Sequence, residues 1–297
     1  MAKKRFFTKK DLIGYLFASP WLIGFAIFNV YAIIAVIYYS FCDYSIIEPP
    51  KWIGIGNYIE LFRKDELVPI VFYNTLYYTV FAVPLGMIVA FFLASLLNHE
   101  VRGISWFRAI FYVPSVVPAV ASSILWLWIF RPRDGLLNIL LGFLGINGPN
   151  WLASLEWSKP ALIIMSTWGV GGSMLIFLAG LQDVPRQLYE AAEIDGANGW
   201  VKFWKITIPM MTPTIFFVLV TGVIGSFQVF TAAYIMTQGG PGNSTMFYVL
   251  YLFNKAFRDF RMGYASALAL ILFLVILIIS LILLFTSEKW VYYEARR

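Results

Sequence analysis

Charge is scarce in this chain. Of its 297 residues only 13% are Asp, Glu, Lys or Arg, against 60% hydrophobic and 19% aromatic. A soluble domain carries about a quarter charged residues, so the composition is that of a membrane protein. Cysteine is nearly absent: Cys42 stands alone, which excludes an intrachain disulfide and any Cys-rich metal cluster. Histidine is reduced to His99, which excludes zinc sites built on several imidazoles. No G-x-x-x-x-G-K-[ST] phosphate loop occurs; "GANGWVK" at 196–202 has glycines and a lysine without the spacing or the hydroxyl. The sequence therefore calls for no metal, no cofactor and no nucleotide held by this chain. The net charge of +6 comes from basic residues scattered at the ends of apolar runs, which fits membrane topology rather than nucleic acid.

Long uncharged runs make up most of the rest. A crossing takes roughly 20 residues, and runs at 12–42, 67–98, 109–130, 160–182 and 262–287 each provide one. The run 206–254 is too long for a single span, and "TQGGPGNST" at 237–245 divides it into a span at 208–236 and a shorter outer segment. The uncharged run 136–155 is interrupted by Gly142, Gly145, Gly148 and Pro149, leaving one short apolar helix at the interface. The expectation is an all-α polytopic membrane protein with six transmembrane helices. Its first run is too long for a cleaved signal peptide and has no small-residue cleavage site.

With six spans, 13 of the 22 Lys and Arg fall on the side that holds 1–11, 99–108, 183–205 and 286–297, over the shorter total length. The positive-inside rule makes that side cytoplasmic, with both termini. His99, beside Glu100 and Arg102, reads as solvated there; Cys42, at an outer helix end, reads as structural. Trp126, Trp128 and Trp151 read as interface-belt aromatics.

One cytoplasmic segment is unlike its surroundings. "YEAAEIDGANGWVKFWKITIP" at 189–209 gathers charged and small residues around two glycines and ends at a proline. Asp183 is placed to cap a helix with Pro185 in its first turn, Gly196 to stop it, and Asn198 to cap a second, short helix. Trp200, Phe203 and Trp204 share a face of that second helix, and Pro209 opens the fifth span. On local pattern alone, an ordinary amphipathic loop and a dedicated docking element fit equally.

"EAAEIDGA" followed by "ITIP" resembles the signature loop of the permease subunits of bacterial ATP-binding-cassette (ABC) importers. Glu190, Ala191, Ala192, Asp195, Gly196, Ala197, Ile206 and Pro209 stand at matching positions. The likeness continues through "FYVPSVVPAVASSILWLWIF" (111–130), "STWGVGGSMLIFLAGLQDVP" (166–185) and "GSFQVFTAAYIMTQGGPGNST" (225–245), which look like the branch importing sugars, maltose-type oligosaccharides and glycerol phosphate. It covers roughly residues 70–287. The resemblance implies a type I ABC importer permease fold whose loop at 183–208 docks on a separate ATP-binding subunit through Glu190, Ala191, Ala192, Asp195 and Gly196. It also implies a second, homologous permease subunit and an extracytoplasmic solute-binding protein that delivers a sugar. The expected division is 1–69 for arm, first span and outer loop, 70–287 for the permease core, and 288–297 for a cytoplasmic tail.

No Asp, Glu, Lys or Arg falls inside the expected spans. That absence weakens the rival reading, a secondary transporter driven by an ion gradient, and suggests an uncharged cargo. An enzyme has no converging acid, base or nucleophile at membrane depth. In the fifth span Gly222, Gly225, Ser226 and Val229 recur at i, i+3, i+4 and i+7, with Thr221, Gln228 and Thr231 beside them. Small residues there also serve plain helix packing, whereas a Gln amide facing lipid is costly. Related permeases place sugar-contacting side chains near Ser115, Gly169, Ser173, Ser226 and Val229; where many carry Asp, this chain has Thr231. Trp168 is either a stacking partner or packing.

Overall fold

The computed structural model describes residues 9–99 and 101–292, with side chains from residue 13 onward. The first eight residues of the basic arm, Glu100 and the last five residues lie outside them, as do the expectations for the two termini that rest on those residues. The chain divides into two compact units, one of Met1–Asp65 and Leu252–Phe273, the other of Glu66–Tyr251 and Leu274–Arg297.

In the first unit, α1 (Lys9–Phe25) passes through a wider π-helical turn into α2 (Tyr31–Ser40). Two short strands, β1 (Cys42–Asp43) and β2 (Lys51–Trp52), come next, and then α3 (Gly56–Arg63). The strands pair antiparallel, Cys42 opposite Trp52. Asn57 fastens this corner: its buried amide donates to the carbonyls of Ser40 and Cys42, both at 2.9 Å. Arg261 donates two parallel bonds, of 2.7 and 2.6 Å, to the carboxylate of Glu60, and the guanidinium lies 4.8 Å from the Tyr264 ring centre. That fork holds the Glu60 carboxyl below the ordinary carboxylate range. The amide of Gly263 donates to Tyr44 O at 3.1 Å.

The second unit begins with α4 (Leu67–Leu97), whose buried residues Val71, Asn74, Tyr78, Ala82 and Ala90 recur along one face. It continues through α5 (Ile104–Val116), α6 (Ala119–Ile129), α7 (Leu136–Phe143), α8 (Ser158–Trp168), α9 (Gly171–Asp183), α10 (Arg186–Ile194), α11 (Gly199–Lys202), α12 (Ile208–Phe227) and α13 (Thr231–Met236). Helix α14 (Tyr248–Phe253) and helix α15 (Met262–Ser287) each run across the boundary between units. One core joins Tyr78, Trp126, Phe130, Trp151 and Phe247; a second joins Ala90, Ala94, Met174, Phe177 and Met211. Helix α4 also holds the loop before α14: Asn74 donates to the carbonyls of Asn243 and Met246, and Thr75 accepts from the amide of Tyr248. Arg108 donates to Leu97 O at 2.9 Å, satisfying an orphan carbonyl at the end of α4.

By length and composition Ile13–Ser40, Leu67–Leu97, Gly199–Met236 and Met262–Ser287 can each cross a membrane. The expected six spans are reached when the two bent pairs α5–α6 and α8–α9 each count as one. The third span is therefore not the single run expected at 109–130: α5 and α6 meet at 98°. Pro118 is the reason, since it pushes Val117 into extended backbone, φ −66° and ψ 130°. The fourth is bent by 50° at Gly169 and Val170. Helix α7 is the one short helix expected within 136–155. Trp126 and Trp151 are 8% and 7% exposed core residues, not belt residues, whereas Trp128 is 67% exposed.

Close approach at Gly263 gives a direct test of the first unit. A Cβ there would sit 2.0 Å from Cys42 O, so Gly263→Ala must move backbone and should cost about 1–3 kcal/mol. Gly24→Ala, where a Cβ meets nothing within 4 Å, should be neutral or slightly stabilising. Thermal unfolding of the two variants in detergent checks the difference.

Candidate functional site: a paired cavity and an exposed helix–turn–helix

Two cavities lie side by side in the second unit, of about 300 and 230 Å³. Tyr78 of α4 and Ser166 and Gly169 of α8 and its bend line both. The larger is completed by Ser173 from α9 and by Gly222, Gly225, Ser226 and Val229; the smaller by Ser115 of α5, Ser122 and Ser123 of α6, and Trp168. Among the described residues no charged side chain lines either cavity. Hydroxyls and an indole against small residues make walls that hydrogen-bond a neutral polar ligand and stack on its apolar faces.

The serines are not equivalent. Ser115 donates to Tyr112 O at 2.7 Å and Ser166 to Ile163 O at 2.6 Å. Ser226 Oγ lies 3.0 Å from Thr79 Oγ1 and 2.9 Å from Val223 O. The hydroxyl of Ser173, half-buried on the cavity wall, makes none of the hydrogen bonds found among the described residues. The glycines divide as well. A Cβ at Gly222 would stand 3.3 Å from Val83 Cγ1, so that position is packing. At Gly225 a Cβ would meet nothing within 4 Å: its absence leaves open space. Gly171 is tighter still, with Phe111 O 2.8 Å from where a Cβ would be, which lets α9 touch α5.

Of the seven expected pathway residues the structure gathers five, Ser115, Gly169, Ser173, Ser226 and Val229. Gln228 and Thr231 line neither cavity. The fifth span does not continue as one helix past Phe227; Gln228 caps α12 with an exposed side chain, and Phe230 (φ −140°, ψ −62°) turns the chain into α13. A stripe drawn on one uninterrupted helix therefore misplaces the residues beyond Phe227. Thr221 is also accounted for locally, donating to Phe217 O. Tyr78 and Ser166 were not among the expected residues. Tyr78 had a signal, since it falls on the same face of the second run as Asn74, Thr75, Ala82 and Gly86.

The segment 183–207 forms the second part of the site. Asp183 ends α9 and does not cap α10, whose N-cap is Pro185 without a side-chain bond; the preceding helix extends to meet it. Gly196 does end α10, in the left-handed region at φ +78°. The amide of Ala197 donates to Ala192 O at 2.8 Å and that of Gly196 to Glu193 O at 3.0 Å, closing the last turn. Asn198 caps α11, accepting from the amide of Val201 at 2.9 Å. Lys202 then donates to Glu193 at 2.7 Å and Tyr189 shares a 2.9 Å bond with Thr207, so both helices are clamped together. No residue of α10 or α11 is buried. Glu190, Ala191, Asp195 and Gly196 are exposed and Ala192 is half-buried, while Ile194 and Trp200 are 87% and 71% exposed. A rigid element with apolar side chains held outward is what a docking surface requires.

The family described as "Binding-protein-dependent transport system inner membrane component" matches residues 82–289. The chain is 43% identical over 300 residues to the probable ABC transporter permease protein YesP of Bacillus subtilis, covering all of this chain and 97% of that one. It is 34% identical to the arabinooligosaccharides transport system permease protein AraP of the same organism, covering 96% and 91%. It is also 34% identical to the lactose transport system permease protein LacF of Rhizobium radiobacter, covering 94% and 95%. Among solved structures, a bacterial ABC transporter involved in the import of the acidic polysaccharide alginate superposes with a TM-score of 0.83 at 25% identity, over 95% of this chain and 96% of that one.

The glycine contrast is testable by thiol chemistry. In a Cys42→Ser background, Gly225→Cys should react with a small hydrophilic thiol reagent, because its sulfur enters open, hydrated space. Gly222→Cys, pressed on Val83, should react far more slowly under the same conditions. A gel-shift time course on membranes reads both rates.

Proposed function

The chain belongs to the binding-protein-dependent transport system inner membrane components, and from that premise we propose that it is the permease subunit of an ATP-driven importer for a sugar or oligosaccharide. The observation that carries the reading is the clamped helix–turn–helix at 186–202, none of whose residues is buried, on a chain without a phosphate loop. Energy enters from outside, and this element is the place for it to enter. In this reading 183–208 is the coupling loop, with Ala191 and Ala192 allowing close approach of an ATP-binding subunit. Gly196 fixes the turn, and Glu190 and Asp195 supply charge at the contact. ATP is hydrolysed on that separate subunit, a homologous second permease completes the pathway, and an extracytoplasmic binding protein loads it.

The cavity pair is the substrate pathway in this proposal. Its walls carry hydroxyls and no charge, which suits a neutral polyhydroxylated cargo, and relatives named for arabinooligosaccharides and lactose support that class. Ser115, Gly169, Ser173, Ser226 and Val229 line it; Gln228 and Thr231 flank the break where α12 ends. Alternating access follows from moving the α12 wall against α4 and α9. The chain sits in the cytoplasmic membrane with both termini inside, residues 70–287 forming the permease core between the 1–69 segment and the 288–297 tail.

Two measurements test the proposal. Ser173→Ala removes a hydroxyl without a hydrogen-bond partner among the described residues and should lower uptake at subsaturating sugar roughly twofold to tenfold, the worth of a neutral hydrogen bond of about 0.5–1.5 kcal/mol. Ser226→Leu fills the cavity and should lower it further, with the ATPase activity of the assembled complex retained. Gly196→Pro, which cannot adopt φ +78°, should abolish uptake while membrane insertion persists. Accumulation in vesicles driven by a proton or sodium gradient without ATP would establish an ion-coupled transporter instead.

A further inference from the structure

An apolar slot of about 470 Å³ lies along the second unit beside the larger cavity, with which it shares Met87. Its walls come chiefly from Ile88, Phe91 and Phe92 of α4, from Phe203 and Trp204 of the π-helical turn Phe203–Thr207, and from Ile208 at the start of α12. Within the chain the slot is open: Ile88 is 66%, Phe92 60% and Trp204 52% exposed. Polarity enters at one end only. Ser95, the last α4 residue in the slot, has a hydroxyl that makes none of the hydrogen bonds found among the described residues. Lys205 directly follows the slot residue Trp204 in the chain and precedes the slot residue Ile208 by one helical turn. It is exposed and forms no ion pair among the described residues, unlike Lys202, which is paired with Glu193.

We propose that this slot binds one anionic phospholipid, its acyl chain lying along α4 and its phosphate held between Ser95 and Lys205. The lining from Met87 to Ser95 extends about 12 Å along the helix, running from apolar toward polar as a lipid does from chain to headgroup. Apart from Ser95 at its end, these walls offer a sugar no hydroxyl. A charge at one end matches the chemistry of a lipid better than that of an apolar protein segment. The polar end lies beside the 183–205 segment, on the side richer in Lys and Arg. That is the cytoplasmic side under the functional reading above, where anionic lipids concentrate. The site thus rests on that orientation and not on what the chain transports.

Native mass spectrometry of the full-length protein, purified with its complex, delipidated and then offered equal phosphatidylglycerol and phosphatidylcholine, reads the site without any transport assay. One phosphatidylglycerol should be retained per chain, about fivefold over phosphatidylcholine, the preference one near-surface lysine confers. Lys205→Gln should bring the two lipids close to parity, and Ile88→Trp should remove both by filling the slot. If Ile88→Trp does not assemble, Ser95→Ala combined with Lys205→Gln should still abolish the preference. Equal retention of both lipids by the unmodified protein overturns the proposal. So does phosphatidylglycerol retention that neither Lys205→Gln nor the double variant changes, or retention by the isolated chain that vanishes in the complex, which would mean that a partner subunit covers the slot.

Discussion

Inside hydrocarbon a backbone amide or carbonyl has no water to turn to, so a spanning segment must satisfy its own groups or break only where protein or a cavity shelters the break. Among the described residues the candidate spans break at Val117–Pro118, at Gly169–Val170 and at Gln228–Phe230. Each break has a residue on a cavity wall: Val117 on the smaller, Gly169 on both and Val229 on the larger. The cavities are where irregular backbone is permitted, and the irregular backbone in turn helps to make them polar. Their other walls are helix surfaces with bulk removed, Gly225 above all.

The same constraint explains the contrast between the two ends of the second unit. Near the loop before α14, free groups are tied by side chains: Asn74 holds two carbonyls, Lys159 donates to Asn74 at 3.0 Å, and Ser158 pairs with Ser244 at 2.7 Å. At 183–207 the tying is internal to the segment, through Gly196, Asn198 and the Lys202–Glu193 pair, and its apolar side chains are left outward. One end is tied down by side-chain hydrogen bonds; the other braces itself and rests on the unit through Val184, Tyr189 and Ile206.

Much of this was legible in the sequence, for definite physical reasons. Apolar runs of bilayer length mark spans whatever their tertiary setting, and Gly196 and Asn198 are local signals whose chemistry does not depend on distant contacts. Five of the seven residues expected along a pathway stand on a cavity wall, and all five came from the resemblance. The features that escaped lie where local rules meet tertiary packing. Pro118 announces a disturbance, but a 98° bend needs α6 to find its place in the core with Trp126 and Phe130. Gln228 sits in an apolar run with no breaker beside it, so nothing nearby signals that α12 stops one residue earlier. Nor does any local feature separate Gly222, pressed on Val83, from Gly225, which faces space.

Helix α11, its π-helical turn and α12 join without a gap from Gly199 to Phe227, a rod of roughly 40 Å. Its lower end carries Trp200 in the open; its upper end carries Ser226 in the cavity wall. The π-helical turn at Phe203–Thr207 and Pro213 inside α12 interrupt its regular hydrogen bonding, yet the helix runs on through both, so a thrust at one tip reaches the other as tilt about whatever holds the middle. Gly222 against Val83, set near the cavity end, is a close-fitting fulcrum. The geometry is that of a lever with unequal arms. On the functional reading proposed above, a substitution that thickened the fulcrum changes the stroke at the cavity while leaving both tips chemically intact.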